Sequence, residues 1–543
     1  MIQTMKKKVA HHSAHNTRWL ASLIAMLAVL NVEAQNSEHL PRLVVNILVD
    51  QLRTDYMEAF VPLYGEGGFK RLMADGRYFS DAQVPFRGPD RASAAASLTT
   101  GAVPYDHGIV SAMWLSRETL QPVFCVDDVR YRGHQTFEKT SPCYLLTTTI
   151  SDELELATGE CSVVYSIAPE REMAVLMAGH VADGAFWLNE ENGSWCGTNY
   201  YGDYPNWASA YEHQYALGKK IGRLAWEPVY GGGLHTFHYF QGSVDEKSTD
   251  FKHTFDGDGR FRSFKNSALV NEETVNFVKR CLENSYIARD YVPDLLNIGL
   301  YAGNYEHQSV LRCPSEMQDT YVRLDRALED LITSVETIAG KGQALFILSS
   351  TGYADSDADD IDFGKYRIPS GTFSMQRASM LLNMYLTALF GQAQYIDGTR
   401  DQQIYLNRKL MEQRQLNSNE VLARCEEFLS QMAGVRDVYT SSRLTMGAWV
   451  KGLDRVRSSW NINRSGDILL EVNPGWKIVN EDNTEYVNQG EAYLSYPLFF
   501  MGADIAPDRI GTPVSTAAIA PTLARCLRIR APNGSREAPL VLK

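Results

Sequence analysis

Nearly unbroken apolar runs recur along the 543-residue chain. RLVVNILVD (42–50) ends in Asp50, and SVVYSI (162–167), MAVLMA (173–178), DLLNIGL (294–300), QALFILSS (343–350) and YPLFFMG (496–502) share its character. Short runs without polar alternation predict strands buried on both faces. Between them, Tyr321, Leu324, Leu328, Leu331, Val335 and Ile338 fall on one helical stripe, predicting a helix over 317–338 that stops at Gly340. Strands alternating with helices predict the α/β class: a mostly parallel sheet sandwiched by helices. Sites in such sheets form at the C-terminal ends of strands, so Asp50, Asn304 and Thr351 are expected near one rim.

Two stretches break this rhythm. Residues 190–285 are rich in Tyr, Trp, Gly and Asn, and residues 395–480 offer only an amphipathic helix near 418–433 and a short strand at 436–440. Both read as cap insertions in one large domain, 35–543. Ahead of it, Lys6, Lys7, Lys8 and Arg18 precede an apolar run at 20–30, and Val32-Glu33-Ala34 offers a cleavage site. Residues 1–34 therefore read as a signal peptide, which predicts an exported, soluble chain, periplasmic or associated with the outer envelope. No later segment is long and apolar enough to span a bilayer.

The net charge is −13, and loss of residues 1–34, with four Lys/Arg and one Glu, makes it −16. That balance argues against nucleic acid as a partner, which needs a basic surface. The eight Cys are irregularly spaced with no CxxC, so a zinc cluster of the finger type is not indicated. DSDADDIDFG (355–364) spaces Asp355, Asp357 and Asp359 as a calcium loop does. Asp360 and Tyr366 stand where such a loop needs Gly and Glu, which favours a solvated acidic loop.

ILVDQLRTDY, YGEGGFKRLMADG, TGAVPYDHGI, AGHVADGAFW, DTYVRLDRALEDL, RSGDILLEV and YPLFFMG, in this order from about residue 41 onward, resemble the alkaline phosphatase superfamily. The branch they resemble is that of type I phosphodiesterases and nucleotide pyrophosphatases. The resemblance implies an alkaline phosphatase-like fold. It also implies two zinc ions between Asp and His ligands, and a Thr or Ser nucleophile at a helix N-terminus. Asp50 matches the first metal ligand. Within GPDRASAAASLTTG (88–101), Arg91 takes the nucleophile position.

Other positions depart from the family as well. Ala112 replaces a phosphate-binding Asn, and of a Lys-x-Arg clamp only Arg171 remains, with Pro169 in place of the Lys. Asn304 and Gln308 replace an Asp-x-x-x-His metal pair, Thr351 begins what should be Asp-His-Gly, and Tyr486 falls where the last His ligand belongs. No His follows His307, although the family uses two His ligands in that region.

These departures predict a vestigial pocket of Asp50, Arg91, Ser93, Arg171, Asn304, Gln308, Thr351 and Tyr486. Asp50 would cap the next helix or pair with Arg91. Arg91 would plug the old phosphate pocket or hold an anionic ligand. Ser93 lacks a neighbouring base or metal that would make it a nucleophile. His180 and Trp187 read as packing residues.

The expected function is that of an exported pseudoenzyme binding an anionic small ligand or an envelope protein. No cofactor is expected. The alternatives are a metal-dependent phosphomonoesterase or phosphodiesterase with non-standard ligands, which would use zinc, and a structural subunit of an envelope assembly.

Overall fold

The computed structural model describes residues 40–230, 250–308, 310, 312–355, 369–447, 452–479, 485–487 and 494–543. The leader reading (1–34) and Asp357 and Asp359 of the acidic run lie outside these residues. Pro41–Lys543 forms one compact unit. Among the described residues no helix is long and apolar enough to cross a membrane.

An eleven-stranded sheet organises the unit. Seven of its strands are β1 (Leu43–Asp50), β2 (Arg77–Gln83), β3 (Val164–Ala168), β4 (Gly184–Leu188), β5 (Asp294–Tyr301), β6 (Ala344–Ser350) and β7 (Tyr496–Met501). They lie side by side in the order β2-β7-β6-β1-β5-β3-β4. The inner five, from β6 to β4, run parallel; β7 is antiparallel to both β6 and β2. The apolar runs at 42–50, 162–167, 294–300 and 343–350 supply four of these parallel strands, whose two faces are both covered.

Successive side chains of β1 enter opposite layers. Leu43, Val45, Ile47 and Val49 pack with the helices Leu269–Asn284 and Pro314–Ala339. Val44 and Leu48 pack with Arg91–Thr100, Arg171–Ala178 and Ile519–Leu527. Asn46 is buried among them and donates from Nδ2 to Oδ1 of Asn297 on β5 (2.8 Å).

MAVLMA, expected as a strand, is a buried helix, Arg171–Ala178. A six-residue apolar run carries no period that separates the two states. In the 395–480 stretch, Ile396–Arg400, Gln403–Leu406, Ile468–Val472 and Val435–Thr440 form a separate four-stranded sheet. It shares its own core with the helices Met375–Phe390 and Ser418–Ser430.

Candidate functional site

Asp50 ends β1, and its side chain is 3% exposed. Next to it the helix Arg91–Thr100 begins. Asp90 caps this helix: its Oδ1 accepts from the Ser93 amide (2.9 Å) and hydroxyl (2.7 Å), and its Oδ2 accepts from the Ala112 amide (2.6 Å). Asp90 and Ser93 thus form a reciprocal capping box, and Gly101 at φ 63° closes the far end. The Ser93 hydroxyl is consumed by this cap and is fully buried. Nothing there activates it as a nucleophile.

The cap directs Arg91, the first helical residue, at the end of β1. Its Nε and Nη2 both lie 2.8 Å from Oδ2 of Asp50. Oδ1 of Asp50 accepts from the Thr351 hydroxyl (3.0 Å), and the same hydroxyl accepts from the Gln51 amide (2.9 Å). The other side of the guanidinium meets Glu172 (3.2 Å) and Glu170 (3.7 Å). Lys265, with its side chain 4% exposed, bonds Glu170 (2.7 Å) and Glu190 (3.1 Å). Asp50, Arg91, Glu170, Glu172 and Lys265 therefore form one continuous, largely buried ion network.

The charges hold one another in place. Burial opposes the charge on Arg91, but Asp50, then Glu170, Tyr353 and Glu172, outweigh it and raise its pKa. Burial would raise the Glu170 carboxyl, yet Lys265 and then Arg91 bring it down to about 2. For Glu172 burial wins: its carboxyl is pushed up despite Arg91, with Glu170 adding to the rise.

Arg171 lies on the same side of the sheet. Its guanidinium stacks on Phe124 (4.5 Å), bonds Asp127 (2.9 Å) and Thr140 (3.2 Å), and lies 3.5 Å from Glu138. Arg91, Arg171 and Lys265 share an open cleft of about 730 Å³, which also has Phe124, Trp187 and Phe261 in its walls.

Asn304 is buried, and its carbonyl accepts from the Tyr301 hydroxyl (2.7 Å). Gln308 faces outward and accepts from the Cys313 thiol (3.6 Å). Tyr486 lies in the short strand Glu485–Val487, in register with Ile478. His180, read as packing, bonds Asp152 (2.8 Å), which raises its pKa against the effect of burial. Asp355 receives His307 (3.0 Å). The reading from sequence missed Glu170, Glu172 and Lys265. Two acids flanking Arg171 in PEREM, directly after a buried strand, were the available signal for the first two. Lys265 sits in a stretch without period and gave none.

The described residues do not fit two zinc ions as they stand. Both oxygens of Asp50 are engaged, one by a guanidinium, and no group of three or more His, Cys, Asp or Glu among the described residues could hold a metal ion.

A family model for type I phosphodiesterase / nucleotide pyrophosphatase matches residues 44–493. The chain is similar to a calcium-transporting ATPase of Myroides odoratus, 28% identical over 95% of this chain and 98% of that protein. It is also similar to alkaline phosphatase PafA of Elizabethkingia meningoseptica, 26% identical over 96% and 98%. The crystal structure of wild-type alkaline phosphatase PafA superposes with a TM-score of 0.79 over 94% of this chain and 100% of that one, at 25% identity. These similarities correct the expectation that no cofactor is used. The matching relatives include alkaline phosphatases, of the zinc-using family that the sequence resembles, so an absence of any cofactor does not follow from the comparisons. The expectation failed because it was drawn from replaced ligand positions and missing His residues in one sequence, and such a count does not cancel the metal use of the relatives.

Proposed function

Since the chain belongs to the type I phosphodiesterase/nucleotide pyrophosphatase family, we propose that it is a member whose hydrolytic centre has become an internal ion lock, and that it acts by binding. One observation carries this reading: the side chain at the nucleophile position, Arg91, is a guanidinium held on Asp50 at 2.8 Å. An arginine cannot form the covalent intermediate that a Thr or Ser hydroxyl forms. It also occupies the carboxylate that would otherwise face a metal.

Arg171, the remaining clamp residue, is turned to Asp127 and Glu138 rather than left open for phosphate. Binding in the cleft, and export directed by residues 1–34, belong to the same proposal. An envelope protein partner and a structural role in an envelope assembly remain compatible with it.

The test is turnover of aryl phosphate mono- and diesters by the purified chain, with zinc supplied and with other divalent ions in parallel. The expected rate equals that of buffer, and Arg91→Thr restores nothing. Turnover that co-purifies with the chain and disappears in Asp50→Ala refutes the proposal in favour of a hydrolase with non-standard ligands.

A further inference from the structure

We propose that Glu155 is a built-in pH device: the folded chain carries its side chain as the neutral acid, and ionisation in alkaline medium loosens the end of the sheet where β3, β4 and β5 begin. The inference is independent of the binding role proposed above.

Glu155 lies on the helix Ile150–Thr158 and is 4% exposed. Its Oε1 is buried and meets no hydrogen-bond partner. Among the described residues, every other buried acid meets Lys, Arg or His, a hydroxyl, or a backbone amide. A buried carboxylate without a partner is far costlier than the neutral acid, so a group in this setting keeps its proton.

The surroundings join Glu155 to the start of three strands. Ser162 Oγ lies 2.9 Å from the Thr158 hydroxyl at the end of the helix and donates to the Pro293 carbonyl (2.7 Å). Next to it Asp294, 2% exposed, accepts from the amides of Val163 (2.7 Å) and Ala288 (2.5 Å). Asp183, exposed ahead of β4, accepts from the Val164 amide (2.7 Å). These two carboxylates hold the backbone where β3, β4 and β5 begin, and a third negative charge beside them opposes both.

The charges that act most on Glu155 are all acids: Asp183, then Glu160, Asp294 and Asp152. Asp152 is paired with His180 (2.8 Å). The cations of the elements packed around this helix are bound elsewhere or exposed. Arg91 is held by Asp50 and Arg171 by Asp127. Arg525 and Arg528, at the end of the helix Ile519–Leu527, are exposed. Arg289 donates to the carbonyls of Leu282 and Glu283, and Arg42 to those of Ala288, Asp290 and Ala339. Burial, then Asp183, pushes the Glu155 carboxyl up to about 8, and burial raises Asp294 to about 6. The unfolded chain releases the Glu155 proton above about pH 4.3. The stability it contributes is therefore full below that pH and is lost as pH rises through about 8.

Hydrogen-exchange mass spectrometry of the full chain at pH 6 and pH 8, with intrinsic exchange rates corrected for pH, tests this. Peptides spanning 150–163 and 284–296 should lose protection roughly tenfold or more at pH 8. Peptides of the helix Met375–Phe390, which has a separate core, should not. Glu155→Gln, which keeps the shape of the neutral acid, should hold its protection at both pH values. If that variant does not fold, Glu155→Met gives the same reading. An equal loss in wild type and variant, or no loss in the wild type, overturns the proposal. A loss that added calcium or magnesium reverses would assign Glu155 to a cation and overturns it as well.

Discussion

Replacing Arg91 by Met keeps an unbranched, flexible side chain like the aliphatic stem of Arg and removes the charged guanidinium. The guanidinium is 18% exposed and stands among Asp50, Glu172 and Glu170, whose side chains are 3%, 8% and 17% exposed. Removing one partner of a buried ion pair costs about 3–5 kcal/mol, because the other charge is left without compensation. Three carboxylates share this cation, so the upper end applies, about 5 kcal/mol. An unfolding entropy of about 2.1 cal/mol/K per residue over about 500 residues gives roughly 1 kcal/mol/K, so Tm should fall by about 5 °C.

The sign of the pH effect follows from the same network. Without the cation, the folded-state carboxyls rise above their unfolded values. The penalty is then greatest at pH 8 and shrinks as the pH falls toward 5 and they protonate. Arg91→Met/Asp50→Asn should recover about half of the loss, and Arg424→Met, at an exposed pair with Glu427, should leave Tm unchanged. Scanning calorimetry at both pH values, with zinc and with chelator, measures all of this. No loss, or an equal loss at pH 5 and pH 8, would show that Arg91 does not hold buried charge together.

Two further outcomes are expected. His107 is fully buried, accepts the Ile109 amide at Nδ1 (3.1 Å) and meets Ser97 at Nε2 (2.9 Å); burial, then Arg464, pushes its pKa down to about 3. The unfolded chain binds that proton first, so stability should be lost as pH falls from about 6.5 toward 3, by up to about 1.4 kcal/mol per unit. Urea midpoints that fall as steeply in His107→Gln would contradict this. N-terminal sequencing of the exported protein should begin at Gln35, and a start at Met1 would remove the leader reading.

Much of the fold was legible because buried parallel strands leave a simple trace. The run 294–300 became Asp294–Tyr301, 343–350 became Ala344–Ser350, and the stripe at 317–338 became Pro314–Ala339. The helix Arg171–Ala178 escaped because all but its first residue is buried, so it has no polar face to mark its period. The site was legible only in part, for a related reason. Arg91 and Asp50 stand in motifs whose spacing carries meaning. Glu170, Glu172 and Lys265 matter through distances across the fold: Lys265 reaches Glu170 over 95 positions of sequence. No local pattern encodes such a meeting.

The place of β1 has a consequence for how the chain is made. Its two neighbours, β5 and β6, lie far downstream; Asn46 and its partner Asn297 are 251 residues apart. At roughly 5–20 residues per second of synthesis, β1 waits between about 10 and 50 s for its first partner strand. Throughout that wait an apolar eight-residue segment has both edges open. No N-terminal portion can close the central sheet early, because both partners of β1 lie beyond residue 293. The most vulnerable interval of β1 is therefore one of biosynthesis rather than of the finished molecule.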